Sequence, residues 1–273
     1  MYINTNTSST IAQNAMRIND KSLSKSMERL SSGLRINSAA DDAAGLAISE
    51  RMTSQSRGMT QATRNAQDGV SLIQTAEGAM GTISDILQRM RELAVQADNG
   101  TYSTNDKSSI KDEMDQLVSE INHIAETSTF NGINLLNSTQ TVTLHISDKY
   151  NDTLGIDLGP VGATYLGNGT SFVNTIDVTT DAQGAIDVID GALDQLSSAR
   201  GSLGASQNRL DFITDNLATS IQNTEQANSR IKDADMASES SALTKSQILS
   251  QSSMAMLQKA NQQPQQIVQL LQG

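Results

Sequence analysis

Two histidines, His123 and His145, are the first candidates for acid–base chemistry in this sequence. His123 falls near the end of a helical pattern and His145 alternates away from the apolar face of a predicted strand, so we expect both to be solvated. No glycine-rich phosphate loop follows a strand, and no His-Glu-x-x-His zinc motif occurs. Cysteine is absent from the 273 residues, which excludes disulfides, a thiol nucleophile, a thiolate zinc site and iron–sulfur ligation. The residues therefore predict a protein that is not an enzyme and holds no metal or cofactor.

The carboxylates give no catalytic pattern either. Asp148, Asp152 and Asp157 lack the spacing and the terminal glutamate of a calcium loop. Asp112 and Glu113 are adjacent on a predicted helix exterior, where charge normally faces solvent. A net charge of −11 with 3% aromatic residues disfavours a nucleic-acid partner. No stretch approaches 18 consecutive apolar residues, so we expect no membrane insertion.

The strongest pattern is a heptad ladder that begins at Ile48 and steps by four and three residues to Ala97. Most of its positions are apolar, and a sustained repeat of 3.5 residues is typical of a coiled-coil seam. The ladder runs through Ile48, Met52, Gln55, Met59, Ala62, Ala66, Gly69, Ile73, Ala76, Met80, Ile83, Leu87, Met90, Ala94 and Ala97.

Further helical patterns follow along the chain. A second ladder contains Ile110, Met114, Leu117, Ile121 and Ile124, and a third repeats every seven residues through Ile189, Leu196, Leu203, Leu210 and Leu217. The terminal segments 4–34 and 236–271 show weaker apolar periodicity with Ser, Gln and Asn at seam positions. Asp41, Asp42, Asp233 and Asp235 precede helical runs as candidate caps. Pro264 is expected to end or kink the final helix.

Between the helices the period changes to two. Residues 141–147 and 154–158 alternate polar and apolar side chains on either side of a polar turn, which predicts a β-hairpin. Residues 171–182 could add a short strand. We therefore predict a mainly α fold: an elongated antiparallel coiled-coil or helical bundle with a small β-hairpin region at about 130–182. The N- and C-terminal helices are expected to flank this bundle and to pair as a coiled coil. The expected domains are 1–40 with 233–273, and 41–232.

One stretch, residues 87–96, admits two interpretations. Leu87, Met90 and Ala94 belong to the ladder, whereas Leu93 and Val95 fall outside it beside arginines. The off-ladder residues could make a second contact within the bundle. Alternatively, they could form an exposed contact patch, because arginine beside an apolar anchor is typical of interface hot spots.

Several short segments of the sequence closely resemble bacterial flagellin. They occur in the right order and cover roughly 1–139 and 183–273. The interval 140–182 matches no particular outer domain, so the chain resembles a minimal flagellin with only the two inner domains. The matching segments are 31–37, 41–49, 66–79, 89–96, 130–132, 206–210, 233–237 and 260–265.

The resemblance implies a structural subunit that polymerises into the flagellar filament for motility. The N-terminal residues show neither the basic nor the apolar region of a secretory signal peptide. This agrees with the export route that the resemblance implies, in which the chain passes unfolded through the flagellar type III channel to an extracellular filament. The implied partners are other copies of this chain in a helical homopolymer, a flagellar export chaperone, the hook-associated junction and cap proteins, and the host flagellin-sensing Toll-like receptor. By this resemblance the terminal domain would form the inner tube of the filament.

The resemblance also assigns residues. The receptor would contact Arg89, Leu93 and Glu113, and the same surface would be covered by a neighbouring subunit in the filament. Arg89 and Glu113 each lie one position before a ladder residue and should point away from the buried stripe. Polymerisation is expected to depend on apolar residues of the terminal helices, namely Ile11, Ile18, Leu23, Met27, Leu30, Leu249, Met256, Ile267 and Leu270.

Two alternatives remain open at this point. A hook–filament junction protein shares flagellin-like ends, although segments 89–96 and 260–265 look like filament flagellin. An enzymatic flagellin variant would need a peptidase insert, and the interval 140–182 has one histidine and little room for such a domain.

Overall fold

The computed structural model describes the backbone of residues 5–272 and the side chains of residues 5–263. Ile267 and Leu270 therefore lie outside the described side chains. The chain order within this range is α1 (Thr7–Ser32), α2 (Ala43–Asp98), α3 (Thr104–Thr127), β1 (Thr129–Phe130), β2 (Ile133–Asn134), β3 (Gln140–His145), β4 (Thr153–Leu158), a 3₁₀ turn (Val173–Thr175), α4 (Ala182–Lys232) and α5 (Met236–Gln272). The predicted mainly helical fold with a small β region is confirmed.

The final helix is longer than predicted. Pro264 was expected to end it or kink it, but α5 continues to Gln272. The expectation that the helix ends at Pro264 is therefore wrong. An internal proline removes one backbone hydrogen bond, but the helix continues when the bonds on either side are kept.

The chain divides into two compact units. The terminal unit comprises the chain up to Gln55 and from Gln222 onward, and the central unit is Ser56–Ile221. The terminal unit contains α1, α5 and the adjoining ends of α2 and α4. The central unit contains the rest of α2 and α4, together with α3 and the β-strands.

The central unit holds a continuous apolar core built from the predicted ladders. Every ladder position of α2 from Met59 to Ala97 is buried. Leu196, Leu203 and Leu210 of α4 are at most 2% exposed, and Ile121 of α3 is fully buried. α2 and α4 run antiparallel, because Arg91 meets Asp190 whereas Glu77, earlier on α2, meets Arg200, later on α4. α3 begins shortly after α2 ends and folds back along it, since Arg89 of α2 meets Glu113 of α3.

The first positions of the α2 heptad ladder are not buried, although the heptad pattern predicts that they are. Ile48 and Gln55 are exposed and Met52 is half-buried, whereas Ser49, one residue beyond Ile48, is fully buried. The hydroxyl of Ser49 donates a hydrogen bond to the carbonyl of Leu46 at 2.9 Å. A serine that satisfies its own hydroxyl within the helix can be buried at little cost. The buried stripe of α2 therefore shifts by about one residue in the terminal unit.

Two antiparallel hairpins make up the β region. β3 pairs with β4 from Gln140 opposite Leu158 to His145 opposite Thr153, which confirms the predicted hairpin. β1 pairs with β2 across Asn131 and Gly132, whose φ values of 49° and 79° are both left-handed. Such a turn favours Asn-Gly because few other residues tolerate two successive positive φ angles.

The β3–β4 hairpin packs on the glycine-containing face of α2. The Nδ2 of Asn65 donates to the carbonyl of His145 at 2.9 Å. One turn along, a Cβ added to Gly69 would overlap the Cδ1 of Leu144. The absence of a side chain at Gly69 therefore makes room for the hairpin.

The predicted strand within 171–182 is wrong. The segment instead contains the 3₁₀ turn and a turn in which the carboxylate of Asp177 accepts bonds from the amide and hydroxyl of Thr179. Within this irregular segment, the side chains of Val173 and Val178 are buried in the core. Local side-chain bonds of this kind compete with a strand ladder for the backbone.

Candidate assembly surfaces

The terminal helices α1 and α5 pair antiparallel through a seam that mixes apolar and polar side chains. Leu23 and Leu30 of α1 and Leu257 of α5 are half-buried in it. Serines occupy the most buried seam positions, with Ser9 and Ser26 of α1 at 7% and 6% exposure. The predicted pairing of the termini is therefore present, although small polar residues contribute much of the contact.

Hydrogen bonds cross the seam along much of its length. The hydroxyl of Ser9 donates to Oδ1 of Asn261 at 2.8 Å, and the amide of Asn19 donates to the hydroxyl of Ser253 at 3.0 Å. Further bonds join Asn6 to the carbonyl of Ala260, Ser250 to Asp20, and Arg29 to Glu239.

The larger apolar side chains of these helices face away from the seam. On α1, Ile11, Ile18 and Met27 are 71%, 57% and 56% exposed. On α5, Leu249 and Met256 are exposed, as are Ile248 and Met254, which the sequence reasoning did not select. Five predicted polymerisation residues are thus solvent-exposed, whereas Leu23 and Leu30 contribute to the seam.

An apolar groove of about 550 Å³ lies between α1 and α5. Ile11 and Ala15 form one side, and Leu249 and Met256 form the other. Large contiguous apolar surface on a soluble protein usually marks an interaction site. Because both walls are exposed, this groove is a candidate docking surface among the described residues of the terminal unit.

The connectors on either side of α1 and α5 hold each other by backbone hydrogen bonds. Gly33 ends α1 in the left-handed region with a φ of 72°. The amide of Arg35 donates to the carbonyl of Lys232 at 2.7 Å, and the amide of Ala234 donates to the carbonyl of Gly33 at 2.9 Å. The sequence reasoning missed this link, because nothing in one segment shows its pairing with the other.

Aspartates stabilise these connectors, as the capping pattern predicted. Asp42 accepts the amide of Gly45 at the start of α2, and Asp235 accepts the amide of Ala237 at the start of α5. The Lys25 ammonium, 2.7 Å away, and the amides of Asn37 and Ser38 hold the pKa of Asp41 well below its usual range. Asp41 thereby ties the α1–α2 connector to α1. Asp233 makes no side-chain cap among the described contacts.

On the central unit, Arg89 and Glu113 form an exposed ion pair. The distance between Nη2 of Arg89 and Oε1 of Glu113 is 3.0 Å, and Nη1 of Arg89 also contacts Glu92 at 3.1 Å. Glu113 and then Glu92 raise the pKa of the Arg89 guanidinium through these hydrogen bonds. Both residues point away from the buried stripe, as the sequence predicted.

Leu93 does not share this exposure. Its side chain is 2% exposed and belongs to the apolar core of the central unit, whereas Val95 is 51% exposed. The interpretation of Leu93 as part of an exposed patch is therefore wrong. A seven-residue repeat of Leu72, Ala79, Ile86 and Leu93 would have revealed the second buried stripe, since a helix packed on two sides buries a wider face than a coiled-coil seam.

The described residues offer little for catalysis or metal binding. The side chains of His123 and His145 are exposed. Over residues 5–263, no three histidine or carboxylate side chains converge in a way that could hold a metal ion. No helix in the described part of the chain has both the length and the apolar character needed to cross a bilayer.

The fold and surfaces define a mainly helical protein whose paired terminal helices expose apolar side chains. Family models of the bacterial flagellin N-terminal helical region and C-terminal helical region match residues 3–141 and 186–271. The chain belongs to the bacterial flagellin family. No further outer domain lies between the two matched regions, as expected of a minimal flagellin.

Individual relatives match along their whole lengths. A flagellin of Halalkalibacterium halodurans is 48% identical, with 99% of this chain and 100% of that protein covered. A flagellar filament 33 kDa core protein of Treponema phagedenis is 42% identical with the same coverage. Among solved structures, a Vibrio parahaemolyticus protein assigned as flagellar hook-associated shares the fold, with a TM-score of 0.62 at 13% identity, covering 71% of this chain and all of that one. The fold alone therefore does not separate filament from hook-associated proteins, whereas the whole-length identities favour filament flagellin.

Proposed function

We propose that this chain is a structural subunit that polymerises into the flagellar filament for motility, and that it is not an enzyme. Flagellin family membership supports a filament subunit. The observation that carries the assembly mechanism is the outward orientation of Ile11, Ile18, Met27, Leu249 and Met256 on helices whose mutual seam is partly polar. These residues dock on a second copy of the chain.

The outward side chains supply apolar surface that a second copy of the chain would bury. Each leucine, isoleucine or methionine that passes from exposed to buried contributes about 1.5–3 kcal/mol. A carboxylate placed among them and left unpaired would oppose burial strongly. A single aspartate in the groove should therefore prevent stable subunit addition.

Two matched variants of α5 test this mechanism. Met256→Asp places the charge in the groove, whereas Gln258→Asp places it at an exposed position two residues away. Seeded polymerisation of purified chain, followed by sedimentation and negative-stain microscopy, should show filaments for Gln258→Asp and for the parent only. Normal filaments from Met256→Asp would rule out the groove as the docking surface.

The proposal also assigns each domain of the chain to a part of the filament. Residues 1–40 and 233–273 would form the inner tube, and 41–232 would form the outer bundle. The compact units divide instead at Gln55 and Gln222. Limited proteolysis of the monomer distinguishes these boundaries, because cuts near 40 and 233 favour the first division and cuts near 55 and 222 the second.

Export and location follow from the same proposal. The chain would pass unfolded through the flagellar type III channel and reside extracellularly, between hook-associated junction and cap proteins. A flagellar export chaperone would cover the apolar face of α5 before secretion. Chaperone bound to the parent but not to a chain lacking 236–273 would support this role, and equal binding to both would contradict it.

We also propose that the monomer is recognised by the host flagellin-sensing Toll-like receptor through Arg89 and Glu113. Their mutual ion pair orders both side chains on one surface. Leu93, buried beneath that surface, positions α2 rather than contacting the receptor through an exposed side chain. In the filament a neighbouring subunit would cover the same surface.

A reporter-cell titration with purified monomer tests the receptor site. Arg89→Ala should raise the half-maximal concentration by about thirtyfold, which corresponds to about 2 kcal/mol at a hot spot. Arg91→Ala is the matched control. Arg91 is about as exposed as Arg89, but its ion pair is with Asp190 of α4 instead of Glu113 of α3. Equal responses of the two variants would refute the assignment.

A further inference from the structure

The methionines of this chain differ in exposure between the two compact units. In the central unit, Met59, Met80, Met90 and Met114 are at most 4% exposed. In the terminal unit, the methionines that are at least 43% exposed are Met27, Met236, Met254 and Met256. Thioethers open to solvent are therefore concentrated on the two helices that carry the candidate docking surface.

Met256 differs from the other exposed methionines in its position. Among the described residues it is the one methionine that lines the groove between α1 and α5, together with the apolar side chains of Ile11, Ala15 and Leu249. Met254 lies two residues away on the same helix, is 43% exposed, and does not line the groove. The two side chains therefore offer the same chemistry to solvent, but only Met256 belongs to the groove.

An exposed thioether reacts with a peroxide by transfer of one oxygen atom. A lone pair of the sulfur attacks one peroxide oxygen, the S–O bond forms as the O–O bond breaks, and with hydrogen peroxide the other oxygen leaves as water. The sulfur loses two electrons and the peroxide gains them. The product, methionine sulfoxide, is polar where the thioether was apolar. Because the sequence has no cysteine, the thioethers are the sulfur groups on which such an oxidant can act.

A sulfoxide at Met256 opposes docking because its oxygen needs a hydrogen-bond donor once water is excluded. The neighbouring side chains of Ile11, Ala15 and Leu249 have no donor. A polar group that is buried without a partner weakens a contact enough to lower affinity by about tenfold or more. A sulfoxide at Met254 lies outside the groove and keeps its oxygen in water.

We propose that Met256 is an oxidation site that controls assembly: its sulfoxide excludes the chain from the filament, and reduction of the sulfoxide readmits it. The oxidant is a peroxide that acts before assembly, since docking covers the sulfur. The reductant is a dithiol-dependent sulfoxide reductase, in which two thiols form a disulfide while the sulfoxide oxygen leaves as water. The inference rests on the proposed filament function and adds a means of regulating it.

Partial oxidation of the parent chain tests the proposal within one sample. Purified monomer is treated with hydrogen peroxide until the exposed methionines are partly converted, the peroxide is removed with catalase, and seeded polymerisation is followed by sedimentation. Met254 and Met256 share the tryptic peptide that ends at Lys259, so fragment ions in mass spectrometry assign the added oxygen to one sulfur or the other. The Met256 sulfoxide should be depleted from the pellet by about tenfold or more, whereas the Met254 sulfoxide should be equally abundant in pellet and supernatant.

The buried methionines of the central unit control for damage to the fold. Met59, Met80, Met90 and Met114 should remain reduced, and the circular dichroism of the treated monomer should be unchanged. Treatment of the supernatant with a methionine sulfoxide reductase and dithiothreitol should return its chains to the pellet in a second round of seeding.

A matched pair of variants tests the polarity change without any oxidant. Glutamine resembles methionine sulfoxide in length, in carrying no charge and in presenting a polar oxygen. Met256→Gln should raise the concentration needed for filament formation by about tenfold or more. Met254→Gln should leave that concentration at the parental value.

The possible outcomes separate this inference from the proposed function. If the untreated parent forms filaments but the Met256 sulfoxide enters the pellet freely, this inference is overturned and the filament proposal stands. A Met254 sulfoxide excluded as strongly as the Met256 sulfoxide would overturn the assignment to the groove. Failure of the untreated parent to assemble on seeds would overturn the filament proposal and this inference with it.

Discussion

Replacing Leu93 with alanine should destabilise the central unit rather than remove a surface contact. The side chain is 2% exposed and belongs to the continuous core cluster. Truncation of a buried leucine to alanine costs about 2–5 kcal/mol, because burial is lost and a cavity remains. With a urea dependence of about 2 kcal/mol per molar, the unfolding midpoint should fall by about 1–2.5 M.

Two companion variants define the origin of the effect. Val95→Ala changes a side chain that is 51% exposed and should alter stability by less than about 0.5 kcal/mol. Leu93→Met keeps the volume and should cost less than about 1.5 kcal/mol. Each purified chain would be unfolded in urea and followed by circular dichroism.

If Leu93→Ala unfolds at the same urea concentration as Val95→Ala, then Leu93 is not a core residue. Lower receptor activation by Leu93→Ala with unchanged stability would restore the interpretation of Leu93 as an exposed contact. Recovery of activation in Leu93→Met would instead agree with a packing role.

Three further predictions address the helices and their connectors. Gly69→Ala should lower the thermal midpoint, because the added methyl overlaps Leu144 and overpacking costs about 1–3 kcal/mol, whereas Gly78→Ala meets open space and should raise stability by about 0.5–1 kcal/mol. The lowered pKa of Asp41 means that its contribution to stability is present above its usual pKa of 3.8 and is lost as pH falls through the lowered value. Asp41→Asn should therefore be less stable at neutral pH and lose less stability on acidification, as measured by protease resistance across pH 2–7. Deletion of 236–273 should abolish filament formation while the circular dichroism of the remaining chain stays helical, and filaments from this deletion would contradict the role of α5.

Much of the helical architecture could be predicted because it depends on local repetition. The positions from Met59 to Ala97 follow one heptad phase and are all buried. Alternation within 141–147 and 154–158 gave the β3–β4 hairpin, and Asp42 and Asp235 cap helices as expected. Each pattern records a period that the backbone itself imposes, so no knowledge of distant contacts is needed.

Local patterns in the amino-acid sequence predict a mainly helical chain with paired termini, a small β region and no motif suited to catalysis. Which faces of the helices are buried depends instead on contacts between distant segments. Leu93 is buried because α2 packs on two sides, and Ser49 is buried in place of Ile48 because the stripe shifts in the terminal unit. Hydrogen bonds such as the one from Asn19 to Ser253 join residues more than 200 positions apart. Periodicity shows that a helix has an apolar stripe, but the choice among neighbouring stripes depends on partners supplied by the rest of the fold.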